Sequence, residues 1–299
     1  MKSIPRQILA VCVVALALAA SSARAQVATT PAPATGSDQP VAPVAEPAKR
    51  QKFAIWAGGF FLSSINTRLS LTDESGNGGQ EVDFSRDLGG RDNLTLARID
   101  AQWQFAANHK VQVSYFDIDR SASKVIDHTI DWGDQTYPIN TTVKSEFQTI
   151  VSKLNYGYTF YRNSSESQAL SVLVGFHITK MKASLSGSGS NLAEGGDVTA
   201  PLPVIGLEWT ARLSDKVSSY VAYEYFGLSV DDEKYKGSLS DFQAVLEYHF
   251  TSHWSLGGGY NRYTSRATVT SDRAVNGEKL KLSARHNYNG LMLFVAARF

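Results

Sequence analysis

From residue 53 onward, apolar and polar residues alternate along the chain with a period of two, and clusters of Gly, Asp, Asn and Ser interrupt the alternation. A period of two predicts β-strands. The pattern divides into ten segments, which are residues 53–71, 93–105, 110–130, 137–161, 168–185, 200–213, 217–230, 238–250, 254–270 and 278–299. Eight or twelve strands are compatible with the same pattern, because residues 80–88 could form a further outer hairpin or a strand of their own.

The gaps between these segments alternate in length. Short gaps lie at residues 106–109, 162–167, 214–216 and 251–253. The alternate gaps are generally longer and richer in Gly, Asp, Glu and Ser, and they lie at residues 72–92, 131–136, 186–199, 231–237 and 271–277. Short turns on one side and longer loops on the other are typical of membrane barrels. We therefore predict an all-β fold, a transmembrane antiparallel up-and-down β-barrel.

Large aromatic residues cluster at the segment ends next to the short turns. They are Trp103, Phe105, Tyr158, Phe160, Tyr248, Phe250, Trp254 and Phe299. A soluble sandwich would also alternate, but it has no reason to gather its aromatic residues at one end. Girdles at a membrane interface produce this clustering.

The face opposite the apolar one carries charges of both signs. The inward candidates are Arg98, Lys153, Arg212 and Arg298 against Asp100, Glu208, Glu224 and Glu247, with His177 and His249 as further hydrogen-bonding partners. Buried charges destabilise a protein unless they are paired. A balanced set therefore predicts a salt-bridged, closed or narrow lumen, whereas a ring of one sign would favour an ion-selective pore.

The last nine residues form one strictly alternating apolar face, from Leu291 to the terminal aromatic residue Phe299. This ending resembles the C-terminal signal of bacterial outer-membrane β-barrel proteins. The resemblance implies location in the outer membrane, contact with outer-membrane lipids and lipopolysaccharide, and insertion by machinery that reads Phe299. Asn287 and Asn289 lie on the same face and are too polar for lipid, so we expect the membrane to end near residue 290.

The N-terminal region has the layout of a secretory signal. Lys2 and Arg6 precede an apolar run over residues 8–20, and an A-x-A site ends at Ala25. We expect residues 1–25 to be a cleaved signal peptide. Residues 26–52, rich in Pro and Ala, are expected to be a disordered periplasmic linker before the barrel of residues 53–299.

Cleavage would remove the chain's only cysteine and three basic residues, leaving 26 basic against 28 acidic residues and a net charge of about −2. A nearly neutral chain gives no electrostatic reason to expect nucleic-acid binding. Without a cysteine, the mature chain would have neither a disulfide nor thiol chemistry.

Candidate catalytic patterns are incomplete. The block from Arg285 to Gly290 resembles the H-x-S-N-G block of the outer-membrane phospholipase, but Tyr288 replaces the nucleophilic serine, so His286 lacks a hydroxyl to activate. The omptin proteases share the ten-strand count, but the D-x-H spacing of that family is missing. Asp117 and Asp119 form a D-x-D pair, which we interpret as hydrogen-bonding rim residues.

No cofactor or metal site is predicted. The acidic run Asp231-Asp232-Glu233 could bind a divalent cation but is more typical of a solvated loop tip. We expect a non-enzymatic role in structure or surface interaction. A small channel and an outer-membrane lipid- or peptide-cleaving enzyme remain alternatives, and the sequence leaves the oligomeric state open.

Overall fold

The computed structural model describes residues 52–73, 81–132, 135–187, 193–230, 235–275 and 278–299. The expected signal peptide, residues 26–51 of the expected linker and the acidic run at residues 231–233 lie outside these ranges. No helix among the described residues is long and apolar enough to cross a bilayer.

Thirteen strands occur in the described residues. They are β1 (Phe53–Asp73), β2 (Glu81–Asp83), β3 (Leu94–Ala106), β4 (His109–Val125), β5 (Ile130–Trp132), β6 (Gln135–Tyr137), β7 (Thr142–Arg162), β8 (Gln168–Gly187), β9 (Ala193–Arg212), β10 (Val217–Val230), β11 (Tyr235–His249), β12 (Trp254–Val275) and β13 (Glu278–Arg298).

Ten long strands form a closed antiparallel barrel, in agreement with the predicted fold. Each pairs with its neighbour along the chain, and β13 pairs with β1, so that the sheet closes on itself. Short β2 adds to the outer part of β1, and β5 pairs with β6 in a separate hairpin. Closure leaves none of the ten strands with an unpaired edge in the bilayer, where unsatisfied backbone groups are costly.

The predicted strand positions are correct, but two outer regions differ from the prediction. Segment 110–130 was expected to be continuous, whereas β4 ends at Val125 and residues 130–137 turn back as the β5–β6 hairpin. Ile126, Ile130 and Tyr137 are apolar, as in a barrel strand, because they are buried in an apolar cluster separate from that of the lumen. Strand β9 begins at Ala193, inside the stretch predicted to be a glycine-rich loop.

Two apolar clusters lie on the inner side of the sheet. The lumen cluster joins residues of seven strands, among them Phe60, Phe116, Tyr263 and Tyr288. The second cluster, here called the outer cap, joins the turn after β2 and the β5–β6 hairpin to inward residues of β7 and β8; its members include Phe84, Ile130, Tyr137, Phe147 and Leu185.

Candidate functional site

The periplasmic end of the lumen holds an ion pair between β13 and β11. Arg298 approaches Glu247 with both terminal nitrogens, at 2.5 and 2.6 Å. The Ser255 hydroxyl donates to the same carboxylate, and the Trp56 indole donates to it at 3.4 Å. Since a carboxylate accepts several hydrogen bonds, these contacts satisfy Glu247, which is almost fully buried.

Two further ion pairs lie deeper in the lumen. Lys110 binds Glu208, which also accepts a 2.8 Å hydrogen bond from Gln112. Arg98 contacts Asp100 at 2.9 Å on its own strand. Glu208 has 1% of its surface exposed and Arg98 has 5%, so each charge is neutralised within the protein.

Arg98 also links two sides of the barrel. Its guanidinium donates to the side-chain oxygens of Asn261 and Gln243, each at 3.3 Å, on strands β12 and β11. Asn261 in turn donates to Asp241 at 2.5 Å. These polar contacts connect β3 to the opposite wall across the lumen.

Lys153 lies at the centre of the most tightly grouped charges. It binds the Asp241 carboxylate and lies 4.0 Å from Glu224, which is 2.5 Å from His177 Nε2. All four side chains are buried, and His177 is fully buried. The two carboxylates flank one ammonium group, an arrangement that stabilises both while the lysine remains charged.

His177, Glu224 and Asp241 also form the one group among the described residues with the composition of a metal site. Their potential ligand atoms lie within 4.8 Å of one another. The Lys153 ammonium lies between the two carboxylates and already supplies the positive charge that a cation would bring. The residues therefore fit an internal ion-pair cluster at least as well as a metal centre. Spacing could not predict this group, because its members come from three strands.

An aromatic layer fills the lumen beyond the ion pairs. Tyr263 stacks on Tyr288 with ring centroids 4.7 Å apart, and Phe60 and Phe116 pack edge-on against each other at 5.6 Å. Tyr288 contacts both phenylalanines edge-on as well. None of the four side chains exceeds 1% exposure, so water is excluded from this layer.

Above the aromatic layer, one buried arginine holds the outer cap to the barrel wall. Arg120 lies 4.6 Å from the ring centre of Phe84 and 5.4 Å from that of Phe147. It donates to the Thr67 hydroxyl at 2.6 Å, and Thr67 lies 2.9 Å from His286 Nδ1. Cation–π contacts of a desolvated arginine are worth about 2 kcal/mol.

Two aspartates fix the turn after β2 in the outer cap, outside the membrane-spanning segments. Burial opposes ionisation of Asp83, but hydrogen bonds from the Arg86 and Ser85 amides and from Asn66 and Arg68 outweigh it, so the pKa of Asp83 is lowered. The pKa of Asp87 is also lowered: burial raises it, but the hydrogen bond from Arg86 and that from the Asp83 amide prevail.

His286, His249 and Asp117 lie in three different parts of the barrel wall. His286 is buried against Tyr288 and Thr67, and within the described part of the chain no carboxylate bonds to its other nitrogen. His249 Nε2 lies 2.8 Å from the Ser218 hydroxyl at the periplasmic end. Asp117 accepts a 2.7 Å hydrogen bond from Gln148, as expected for a rim residue.

Nine of the ten predicted lumen residues lie in or near the contacts described above. The tenth, Arg212, is exposed at the last position of β9, opposite Ser218 of β10. Sequence reasoning missed Lys110 and Asp241, which bind Glu208 and Lys153. Asp241 could have been found, because it shares the inward face of Glu247 six positions further along β11.

The outward surface of the barrel is an apolar belt. The eight predicted interface aromatics are all exposed at the strand ends joined by short turns, and Phe299 is the most exposed at 63%. Between them and the outer rim, outward side chains such as Leu207, Leu246 and Leu293 are exposed by more than half. Exposing a continuous apolar surface of this size to water is energetically unfavourable, whereas contact with the hydrocarbon of a bilayer is not.

No protein-family model matches the sequence, and no curated protein matches it. Solved structures with a similar fold include the outer membrane protease OmpT from Escherichia coli, with a TM-score of 0.48 and 12% identity over 82% of this chain and 97% of that chain. The outer membrane protein OprG from Pseudomonas aeruginosa gives a TM-score of 0.37 and 10% identity over 84% and 97%. Ail, the attachment invasion locus protein of Yersinia pestis, gives 0.31 and 10% over 84% and 100%.

The closed sheet and its belt together define the kind of membrane protein this is. Hydrogen bonds between strands satisfy the backbone of all ten strands across the membrane, and the outward side chains suit lipid while the inward ones suit a polar interior. This is the architecture of bacterial outer-membrane barrels. The chain is therefore an integral outer-membrane β-barrel.

Proposed function

We propose that this barrel neither conducts solutes nor catalyses a reaction, and that its role is structural or depends on its surface. One observation supports the proposal most, namely that the described residues occupy the lumen at three successive levels. Ion pairs occupy its periplasmic half, the aromatic layer lies above them, and the outer cap packs against β7 and β8. A ten-stranded barrel is only slightly wider than the eight-stranded barrels that side chains can fill.

The proposal extends to partners. The apolar belt supports contact with outer-membrane lipids, including lipopolysaccharide, and exposed Phe299 would serve the barrel-insertion machinery as a recognition element. Nucleic acid is not among the expected partners, because the chain is nearly neutral.

Conductance in planar bilayers tests the closed lumen. The purified wild-type barrel is expected to give no steady current, whereas a Phe116→Ala/Tyr288→Ala variant, which removes two rings of the aromatic layer, is expected to conduct. Asp119→Asn is the matched control, because Asp119 is an exposed outward residue on the same strand as Phe116. Steady wild-type conductance on the nanosiemens scale would instead establish the small-channel alternative.

The hydrolase alternative is tested by activity. Phospholipid and peptide substrates incubated with the purified barrel are expected to remain intact. Turnover that Ser218→Ala abolishes would overturn the non-enzymatic proposal, since Ser218 and His249 form the closest serine–histidine contact in the described chain.

A further inference from the structure

The outward surface of the adjacent strands β12, β13 and β1 carries a group of arginines just beyond the apolar belt. On β12 and β13 the belt ends where exposed Tyr260 lies opposite Leu291. The next outward pair along these strands is Arg262 opposite Asn289, and the second pair beyond it is Arg266 opposite Arg285.

An arginine of β1 lies next to this pair. Arg285 also lies directly opposite Arg68 of β1, so the residues Arg68, Arg285 and Arg266 follow one another across three strands. Adjacent strands lie about 4.8 Å apart, and like charges directly opposite each other destabilise a sheet. The guanidinium groups of these neighbouring arginines repel one another. A bound anion between them would relieve this repulsion.

The protein supplies such an anion to one of the three only. Arg68 contacts Asp83 at 3.0 Å and Glu81 at 3.6 Å. In the described residues, neither Arg266 nor Arg285 forms an ion pair. The described part of the chain therefore supplies no counter-charge to these two guanidinium groups.

The outward surface on the opposite side of the barrel carries charges of both signs. There, Asp119 on β4 lies opposite Gln148 on β7, which lies opposite Lys182 on β8. This row carries one acidic and one basic residue, whereas the row Arg68, Arg285 and Arg266 carries charges of one sign. The arginine row is a local feature and not a property of the whole rim.

We propose that Arg262, Arg266 and Arg285 bind the phosphate groups of a phosphorylated glycolipid of the outer leaflet, of the lipopolysaccharide class. A lipid whose acyl chains cover Tyr260 and Leu291 places its head group at the level of these arginines. Guanidinium groups bind phosphate through two parallel hydrogen bonds, which a lysine cannot reproduce. The site rests on the outer-membrane location that the belt and the closed sheet establish.

The test is a titration of the full chain in detergent micelles with diphosphoryl lipid A, followed by native mass spectrometry. The wild type is expected to bind this lipid, and Arg266→Gln/Arg285→Gln is expected to lose at least ten-fold in affinity. Lys182→Gln is the matched control on the outward surface of β8, and its affinity for the lipid is expected to stay within two-fold of that of the wild type. Heat-modifiable electrophoretic mobility verifies that each variant is folded, and Arg266→Gln alone replaces the double variant if that one does not fold.

Three results would overturn the proposal. The double variant could bind as tightly as the wild type, the wild type could bind dephosphorylated lipid A equally well, or inorganic phosphate could compete at concentrations equal to those of the lipid. The last result would make the patch a site for free phosphate. Membrane fractionation tests the location separately, so a barrel found outside the outer membrane is distinguished from one that is correctly located but lacks the lipid site.

Discussion

Replacing Lys153 with methionine tests whether the lumen charges stabilise the barrel as a network. Methionine preserves most of the apolar stem of lysine but removes the ammonium group that lies between Asp241 and Glu224. The two carboxylates would then face each other in a region where solvent hardly reaches either of them. Their nearest potential ligand oxygens lie within 4.8 Å.

The expected loss can be estimated in two ways. Two unit charges 4.8 Å apart repel by about 3.5 kcal/mol at an effective dielectric constant of about 20. Removing one partner of a buried ion pair costs about 3–5 kcal/mol in other proteins. Both estimates predict that Lys153→Met lowers the free energy of unfolding by about 3 kcal/mol at neutral pH.

Urea titration of the barrel in phospholipid vesicles, followed by tryptophan fluorescence, measures this loss. Lys153→Met/Asp241→Asn is expected to recover most of it, because the second change removes one of the two uncompensated charges. Lys182→Met removes an exposed ammonium group on the outer surface and is expected to change stability by less than about 0.5 kcal/mol. A loss below about 1 kcal/mol for Lys153→Met, or no recovery in the double variant, would refute the network.

Two further predictions concern the outer cap and the belt. Because the pKa of Asp83 is lowered from its usual value of 3.8, its ionised form stabilises the folded cap at neutral pH, and this contribution is lost as the pH falls through the lowered value. The protection factors of the Ser85 and Arg86 amides, which correct the exchange rates for their intrinsic pH dependence, should therefore fall below pH 3.8 in the wild type, whereas Asp83→Asn should give low protection factors at every pH; wild-type protection factors that do not change with pH would contradict the assignment. In the belt, Val174→Arg at the middle of the lipid-facing row of β8 should cost about 2–4 kcal/mol in the same urea titration. Ser184→Arg, which is outward on the same strand but beyond the belt, should cost under 1 kcal/mol, and equal losses for the two variants would place the membrane elsewhere.

The barrel itself could be predicted from the sequence because its information is local. Each lipid-facing residue is two positions from the next, so Val174, Phe176 and Ile178 identify their strand without reference to any other. The alternation of short turns with long loops then fixes the up-and-down order. Strand ends were less predictable in the outer half, where Ile130 and Tyr137 keep the apolar spacing but fold into a separate hairpin.

The partners within the lumen could not be predicted in the same way, because they depend on the register between strands and on which strands face each other. Lys153 and Asp241 are 88 residues apart, and Lys110 and Glu208 are 98 residues apart. A balance of charges can be read from a list of inward residues, but the choice of partner cannot. The cluster around His177 is invisible in the sequence for the same reason.

The polarity of the two faces reverses part of the way along the strands, and this reversal explains how the barrel relates to its surroundings. In the periplasmic half the inward residues are charged and the outward ones apolar, as for Lys153 and Leu154. Further out on β4, buried Ile118 lies between Asp117 and Asp119, which point outward. A strand with apolar residues inside and acidic residues outside has the pattern of a soluble barrel, so this part of the wall stands in water. The ten barrel strands are 13 to 22 residues long, whereas about nine to eleven residues suffice to cross the hydrocarbon. The protein therefore combines a membrane barrel held together by internal ion pairs with an outer extension that has an apolar core, and the level of the reversal marks the outer surface of the membrane.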